Sequence, residues 1–263
     1  LLSDSGSFVL LRPGAMYIVA ESLLLEDSEN ADGRVKALSL YRELISKYPD
    51  HARAARSNLR IGWCLQTDKK YDEAIRHLNA LRDKFDREQQ LPEAQLLIGQ
   101  SHAALLRHRE AIQAFDAAFA ANNKWPRADD VLFAASQSHL ALDEHDAAIG
   151  KLRKLVDTLP SSEQRPQALY RLGEITQQIG KLEEASRWFS EVAEKHPDSP
   201  LANPAMHAMT TVCFNQGDFP RTISWAERVI KGSADSTLIQ RARLMRGLAY
   251  RRSNNNVKAI EDL

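Results

Sequence analysis

The sequence predicts an all-α solenoid of antiparallel helix pairs, and three observations predict it. Small residues recur at Gly62, Gly99, Ser136, Gly173, Thr210 and Gly247, each 37 positions from the last. A second column, twelve positions further on, runs Ala37, Ala74, Ala111, Ala148, Ala185, Thr222 and Ala259, with Ala at six of its seven places. Turn-forming residues fall at fixed points between the columns. Self-similarity at such a period marks a repeat array: one unit cannot bury its apolar face alone, so neighbours stack into a continuous core.

Each copy resolves into two helices. Four positions after the Ala column stand larger apolar residues, Tyr41, Leu78, Phe115, Leu152, Phe189 and Leu263, while Ala226 breaks the column with Trp225 beside it. A spacing of four keeps both columns on one helix face. In the clearest copy the pattern predicts helix A over Pro166–Gln178 and helix B over Leu182–Lys195. Pro166 suits a first turn, where no backbone donor is needed. Gly173 and Ala185 are expected to be small because two antiparallel helices cross closely there. Gly180, Gly217 and Asn254 fall at the A-to-B turn, where a left-handed residue closes helix A. Asp218-Phe219-Pro220 supplies a cap and a first-turn proline for a helix B. Tyr48-Pro49-Asp50, Leu159-Pro160-Ser161 and His196-Pro197-Asp198-Ser199-Pro200 are expected to end one helix B and cap the next helix A. With Thr at both 210 and 222, that pair is expected to stand slightly apart. The first unit departs: Ala37 follows Ala20 by seventeen positions, and the insertion is expected to be an acidic loop, Glu26-Asp27-Ser28-Glu29-Asn30-Ala31-Asp32-Gly33.

Small, large, small, aromatic and Pro at this spacing resembles the tetratricopeptide repeat (TPR), a helix–turn–helix unit. The best copy is Leu169-x-x-Leu172-Gly173-x-x-Thr176, then Gly180, Ala185, Phe189 and Pro197. It departs at Leu169, where the family prefers Trp, and at Thr176, where it prefers Tyr; Tyr250 keeps the latter. The resemblance implies a right-handed superhelix with helix A on the concave side. It makes residues 13–263 one solenoid of about seven repeats, the last truncated, and residues 1–12 the remnant of a preceding segment. The three residues beyond the usual 34 sit in the inter-repeat turns. That turn style resembles bacterial cell-envelope TPR proteins, of the type found in the Tol–Pal system and in outer-membrane β-barrel assembly. It implies a periplasmic or envelope location, with the cytoplasm as the alternative. The chain opens Leu1-Leu2-Ser3 without Met and stops inside a helical pattern, so a fragment of a larger protein is expected.

Composition narrows function. Lys and Arg number 35 against 35 Asp and Glu, which argues against a nucleic-acid binder held by a broad basic face. No stretch approaches the roughly 20 apolar residues of a membrane span. Cys64 and Cys213 are expected to be buried small hydrophobes rather than a bridge. No phosphate loop, zinc-protease motif or nucleophile elbow is present, so no catalytic residue, cofactor or metal is expected. The acidic loop fails as an EF-hand: with Gly33 at the sixth place, Ser28 and Ser39 would stand at the first and twelfth. His102 and His108 repeat as His139 and His145, either as part-buried packing residues or as a weak metal or pH-sensitive seam.

The resemblance places helix A positions two, five, nine, twelve and thirteen on the groove. The fifth gives Leu59, Leu96, Phe133, Tyr170, His207 and Leu244; the ninth gives Trp63, Gln100, Gln137, Glu174, Thr211 and Leu248. Chaperone-binding TPR domains carry Lys at the fifth and Asn at the ninth, and neither occurs here. The expected groove therefore has an aromatic floor, Trp63, Phe133, Tyr170 and Phe214, with the amides Gln100, Gln137 and Gln177 between. Arg56, Arg60 and Arg171 add donors, and Arg241, Arg251 and Arg252 cluster at the far end; Glu174 and His207 complete the set. Aromatics with Arg are what partner surfaces favour, and amides can bond an extended backbone. The expectation is a non-catalytic scaffold that binds a protein or peptide segment. Its alternatives are the regulatory or targeting arm of an enzyme, and a self-associating scaffold.

Overall fold

The computed structural model describes the backbone of residues 5–26 and 31–263 and the side chains of 12–25 and 32–263. All regular structure among the described residues is helical. It divides into two compact units, Leu1–Asp143 and Glu144–Leu263.

The first unit holds α1 (Ser5–Glu26), α2 (Ala31–Lys47), α3 (Ala52–Thr67), α4 (Tyr71–Asn79), a 3-10 turn at Arg82–Lys84, α5 (Gln90–Ala104), α6 (His108–Ala121) and α7 (Ala128–Leu140). The second holds α8 (His145–Thr158), α9 (Arg165–Gln178), α10 (Leu182–Lys195), α11 (Ala202–Asn215), α12 (Phe219–Gly232), α13 (Ser236–Arg252) and α14 (Asn256–Asp262). Within each unit consecutive helices pack, and α3 also lies on α5 as α11 lies on α13. The predicted A and B helices of the clearest copy are α9 and α10, within one residue at each end.

The small column has a more specific cause than a close crossing of backbones. A Cβ on Gly62 would lie 2.6 Å from Leu78, one on Gly173 2.5 Å from the Phe189 ring, and one on Gly247 2.9 Å from Leu263; Gly99 meets Phe115 in the same way. Each partner stands sixteen positions on, in the large column of helix B. The bare glycine backbone is the seat of that side chain, and Leu78, Phe115 and Phe189 are almost wholly buried there. Burying such a side chain contributes about 2–3 kcal/mol. The 210/222 copy exchanges the two volumes: Thr210 fills the seat and Ala226 replaces the knob. Thr210, Thr222 and Ala226 are all fully buried, so no gap opens to solvent. Both hydroxyls are spent locally, Thr210 donating to the His207 carbonyl (2.6 Å) and Thr222 to the Asp218 carbonyl (2.8 Å).

The left-handed turn residue recurs more widely than glycine indicates. Lys69, Leu106, Asp143 and Asn254 have φ near 60°, with Gly180 at 79° and Gly217 at 77°, and successive members are 37 apart. Lys70 N–H reaches the Leu65 carbonyl (2.8 Å), Arg107 N–H that of His102 (2.9 Å) and Asp218 N–H that of Cys213 (2.9 Å), the bond that closes a helix around such a residue.

Three expectations need correction. At Tyr48-Pro49-Asp50 the cap is His51, whose Nδ1 accepts from Arg53 N–H (3.1 Å); Asp50 lies one residue too early. Ser162 and Ser199 instead brace the later turns, accepting from Gln164 N–H (3.0 Å) and Leu201 N–H (3.2 Å). Of the expected acidic loop, Glu26 belongs to α1 and Ala31, Asp32 and Gly33 to α2, while residues 27–30 lie outside the described residues. The expected boundary between residues 12 and 13 falls inside α1, which runs through Pro13. Among the described residues no helix is long and apolar enough to cross a membrane.

Cβ space sets opposite signs for two glycine substitutions. Gly99→Ala forces a methyl into the Phe115 ring and lowers stability by about 1–3 kcal/mol. Gly150→Ala, on an exposed face of α8 with no atom within 4 Å, raises it by about 1 kcal/mol. Leu106→Gly relieves the left-handed strain and raises stability by about 1 kcal/mol. Urea denaturation of the three variants measures all of these.

Candidate functional site

Arg60 and Arg56 stand on one face of α3. Arg60 does not face a partner freely, as the sequence had suggested. Its Nε and Nη2 donate to the two carboxylate oxygens of Glu21 on α1, both at 2.8 Å. Tyr41 on α2, fully buried, donates its hydroxyl to the same carboxylate at 2.5 Å. Tyr17 packs against Tyr41 with centroids 5.8 Å apart, and the Arg53 guanidinium lies 4.9 Å above the Tyr17 ring. Burial first, and then the Glu21 carboxylate, push the Tyr41 phenol well above its usual range. Arg60 thus ties α3 to α1 and is structural. Arg56 is exposed beside it and lines a polar cavity of about 140 Å³ with Tyr17, Leu59, Arg60, Gln89, Gln90 and Glu93.

The fifth-position row is not uniform. Leu59, Leu96 and Phe133 in the first unit are 4%, 0% and 8% exposed, whereas Leu244 in the second is 49% exposed. Tyr170 and His207 in the second unit are half-buried. Phe133 is therefore a packing residue and not part of an open floor. Trp63 is half-buried and packs on the cores on both sides of α3. Gln100 accepts from Gln66 Nε2 at 3.4 Å, and Gln137 is exposed.

The second unit presents the more open surface. Tyr170 sets its ring edge-on to Phe189, centroids 5.4 Å apart. Its outer side lines a cleft of about 410 Å³ with Glu163, Pro166, Gln167, Arg171, Glu174 and the turn Ser199-Pro200-Leu201. Burial first, and then Glu174, raise the Tyr170 phenol, so it stays a neutral donor. Arg171 Nη1 donates to Glu174 Oε2 at 2.8 Å, and Gln177 is half-buried further along α9. On α11, Phe214 packs edge-on against Phe219 with centroids 5.6 Å apart. His207 Nδ1 is buried with no hydrogen-bond partner among the described residues. Burial first, and then the Arg241 guanidinium, hold its imidazole below the usual range. Arg241 itself is exposed on α13.

Cys64 and Cys213 are free and buried, and burial pushes the Cys64 thiol up to about 12. No three His, Cys, Asp or Glu come together as a metal site among the described residues. The Nδ1 atoms of His102, His108 and His145 are buried without hydrogen-bond partners there, and His139 is buried.

Stacked helix pairs with fixed left-handed turns and an open row of side chains define a helical-repeat protein. Family models described as tetratricopeptide repeat match residues 59–118 and 96–163, and residues 167–199, together more than half of the sequence. The chain belongs to the tetratricopeptide repeat family. No curated protein matches it. Among solved structures it is similar to a tetratricopeptide repeat protein from Parabacteroides merdae, at 14% identity over 93% of this chain and 90% of that one, TM-score 0.53. It is similar to PilF of Pseudomonas aeruginosa at 12% identity over 87% and 95%, TM-score 0.60. It is also similar to YrrB, described as a TPR protein with an unusual peptide-binding site, at 16% identity over 77% and 97%, TM-score 0.57. At these identities the likeness is one of fold.

Two outcomes test this account. Arg60→Gln leaves the Glu21 carboxylate with one donor fewer than its charge needs and lowers stability by about 2 kcal/mol, the pair being only partly shielded from water. Acid weakens the fold through histidine. Burial holds the imidazoles of His77, His102, His196 and His207 below the usual value near 6.5. The unfolded chain then binds more protons, so stability is intact above about 6.5 and falls as pH drops below it. His77, whose Nε2 donates to the Asn58 carbonyl at 3.1 Å, is among the contributors. Melting curves of the parent and His77→Gln between pH 7.5 and 5 (about neutral to mildly acid) are expected to diverge, the variant losing less.

Proposed function

We propose that the chain is a non-catalytic scaffold that holds a protein segment on the open face of α9, α11 and α13. The observation that carries this reading is the opening of the fifth-position row in the second unit, where Tyr170, His207 and Leu244 reach solvent while their counterparts Leu59, Leu96 and Phe133 are packed away. A half-exposed Tyr held edge-on by Phe189, with Gln167 and the Arg171–Glu174 pair lining the same cleft and Gln177 two turns further along α9, offers an apolar anchor with polar groups around it. Such an arrangement fits an extended peptide, whose backbone needs donors and acceptors as much as its side chains need a floor. The peptide-binding site described for YrrB, a structure of the same fold, supports the reading. We place the protein in the bacterial envelope, on the style of its Pro-Asp and Pro-Ser turns.

Affinity capture from separated periplasmic and cytosolic extracts tests the scaffold reading and its compartment together. The baits are the parent and a Tyr170→Ala, Gln177→Ala variant. Both side chains are partly exposed, so the variant keeps its fold, whereas Phe133→Ala would cost about 3 kcal/mol of stability. A partner retained by the parent and weakened at least tenfold in the variant is expected, from the periplasmic extract. Equal retention by both overturns the site.

A further inference from the structure

Helix α3 borders two concavities, and the second lies on the side away from Arg56 and Arg60. Asn58, Ile61 and Leu65 follow one stripe of the helix, and the surface of Arg56, Leu59 and Arg60 stands about half a turn round from it. Over that stripe, between α2 and α4, opens a cavity of about 450 Å³. It lies within the first unit and shares no residue with the cleft at Tyr170.

The repeat shows what is unusual there. Asn58 belongs to a column that runs Asn58, Gln95, Leu132, Leu169 and Met206, each 37 positions from the last. Leu132 and Leu169 are buried, as a core position requires. At Asn58 a smaller amide stands where those later copies place an aliphatic plug. It is only 8% exposed and lines the cavity. Its Nδ2 donates to the Ala54 carbonyl at 3.0 Å, and its Oδ1 has no partner among the described residues. A buried acceptor without a donor is costly, and packing alone gives no reason for it.

The other lining residues sort by chemistry. Ile45, Ile61 and Leu65 form a branched aliphatic wall. Arg42 on α2 and Arg76 on α4 are exposed, and neither has a carboxylate partner among the described residues; Glu73 lines the same cavity without pairing with either. His77 Nε2 lies 3.1 Å from the Asn58 carbonyl. A carbonyl only accepts, so Nε2 carries the proton and Nδ1 of the neutral ring is an acceptor. Burial first holds that ring below its usual range; the Asn58 carbonyl works the other way, and the nearby Arg42 charge adds to burial. Two guanidiniums without carboxylates, a set of acceptors without donors and an aliphatic wall thus meet in one cavity. An inorganic anion would leave the wall uncovered. A simple aliphatic acid would leave the acceptors unused.

We propose that this cavity binds a free aliphatic α-amino acid of the leucine, isoleucine or valine type. The guanidiniums of Arg42 and Arg76 hold its carboxylate through charge-assisted hydrogen bonds. Its ammonium donates to Asn58 Oδ1, with Glu73 and His77 Nδ1 as further acceptors. Its side chain covers Ile45, Ile61 and Leu65 and takes the place of the missing plug. An apolar wall with a few convergent polar groups, in a cavity of this size, is the usual form of a small-molecule site. The inference goes beyond the scaffold reading and does not depend on it, since the two sites lie in different units.

The test is equilibrium dialysis of the full chain against radiolabelled L-leucine. Leucine is expected to bind, with unlabelled isoleucine and valine competing. Leucinamide, which lacks the carboxylate, and N-acetyl-leucine, which lacks the ammonium, should compete about tenfold less well or worse, and glutamate and lysine not at all. Arg42→Gln with Arg76→Gln should weaken binding by about tenfold or more; both side chains are exposed, so the fold is kept. Asn58→Leu restores the plug of the later copies and should abolish binding, with circular dichroism showing the helices intact. Arg82→Gln with Arg87→Gln, exposed between α4 and α5, removes the same charge elsewhere and should change nothing. No binding of leucine, undiminished binding by the Arg42 and Arg76 variant, or undiminished binding by a folded Asn58→Leu would each overturn the proposal. Leucinamide binding as tightly as leucine would overturn it too. N-acetyl-leucine binding as tightly would overturn the free amino acid in favour of the last residue of a peptide.

Discussion

A large side chain resting on bare backbone is the contact on which the rest of the array depends. Where Phe189 lies over Gly173, and Phe115 over Gly99, the ring occupies the space a Cβ would take. That single exchange sets how closely helix A and helix B of a copy approach. Close packing leaves little tolerance for an added methyl where the seat is glycine, so at those copies seat and knob are coupled. The copy at Thr210 shows the coupling directly, since a larger seat goes with Ala226 as the smaller knob. The left-handed turn seven residues after each seat then has one job, to bring helix B back at the angle the knob requires. Lys69, Leu106 and Asp143 accept a strained φ to do it. The strain persists because the buried knobs outweigh it.

The same logic explains why one row of equivalent positions serves two purposes. Leu59, Leu96 and Phe133 are enclosed, while Tyr170, His207 and Leu244 keep one side open. Spacing along a helix decides which direction a side chain leaves the axis. What stands in that direction is decided by the next helix, and that differs from unit to unit.

Charge follows a similar division. In the first unit α1 brings Glu21 against Arg60 and Tyr17 under Arg53, and the cations of α3 become internal ties. In the second unit Arg246 of α13 is tied to Asp262, while Arg241, Arg243, Arg251 and Arg252 are exposed with no carboxylate partner among the described residues. A net charge of zero for the whole sequence conceals this contrast. Local field, and not the sum, is what a partner meets.

The sequence by itself determined the period, the helix pairs and the turn positions, because each is written in short-range terms: a knob sixteen residues from its seat, a left-handed residue every 37. Gly180 and Gly217 were legible as turn residues since glycine advertises a positive φ. Lys69, Leu106 and Asp143 were legible only through the repeat, their side chains carrying no such signal. The family was equally legible. The site was legible as a list of directions and not as a surface. Sequence spacing put Arg60 and Phe133 with Tyr170 and Arg241, and tertiary packing separated them. A carboxylate 39 residues away claims Arg60, and neighbouring side chains enclose Phe133. Burial and ion pairing depend on which residues distant in sequence arrive alongside, and only the assembled fold decides that.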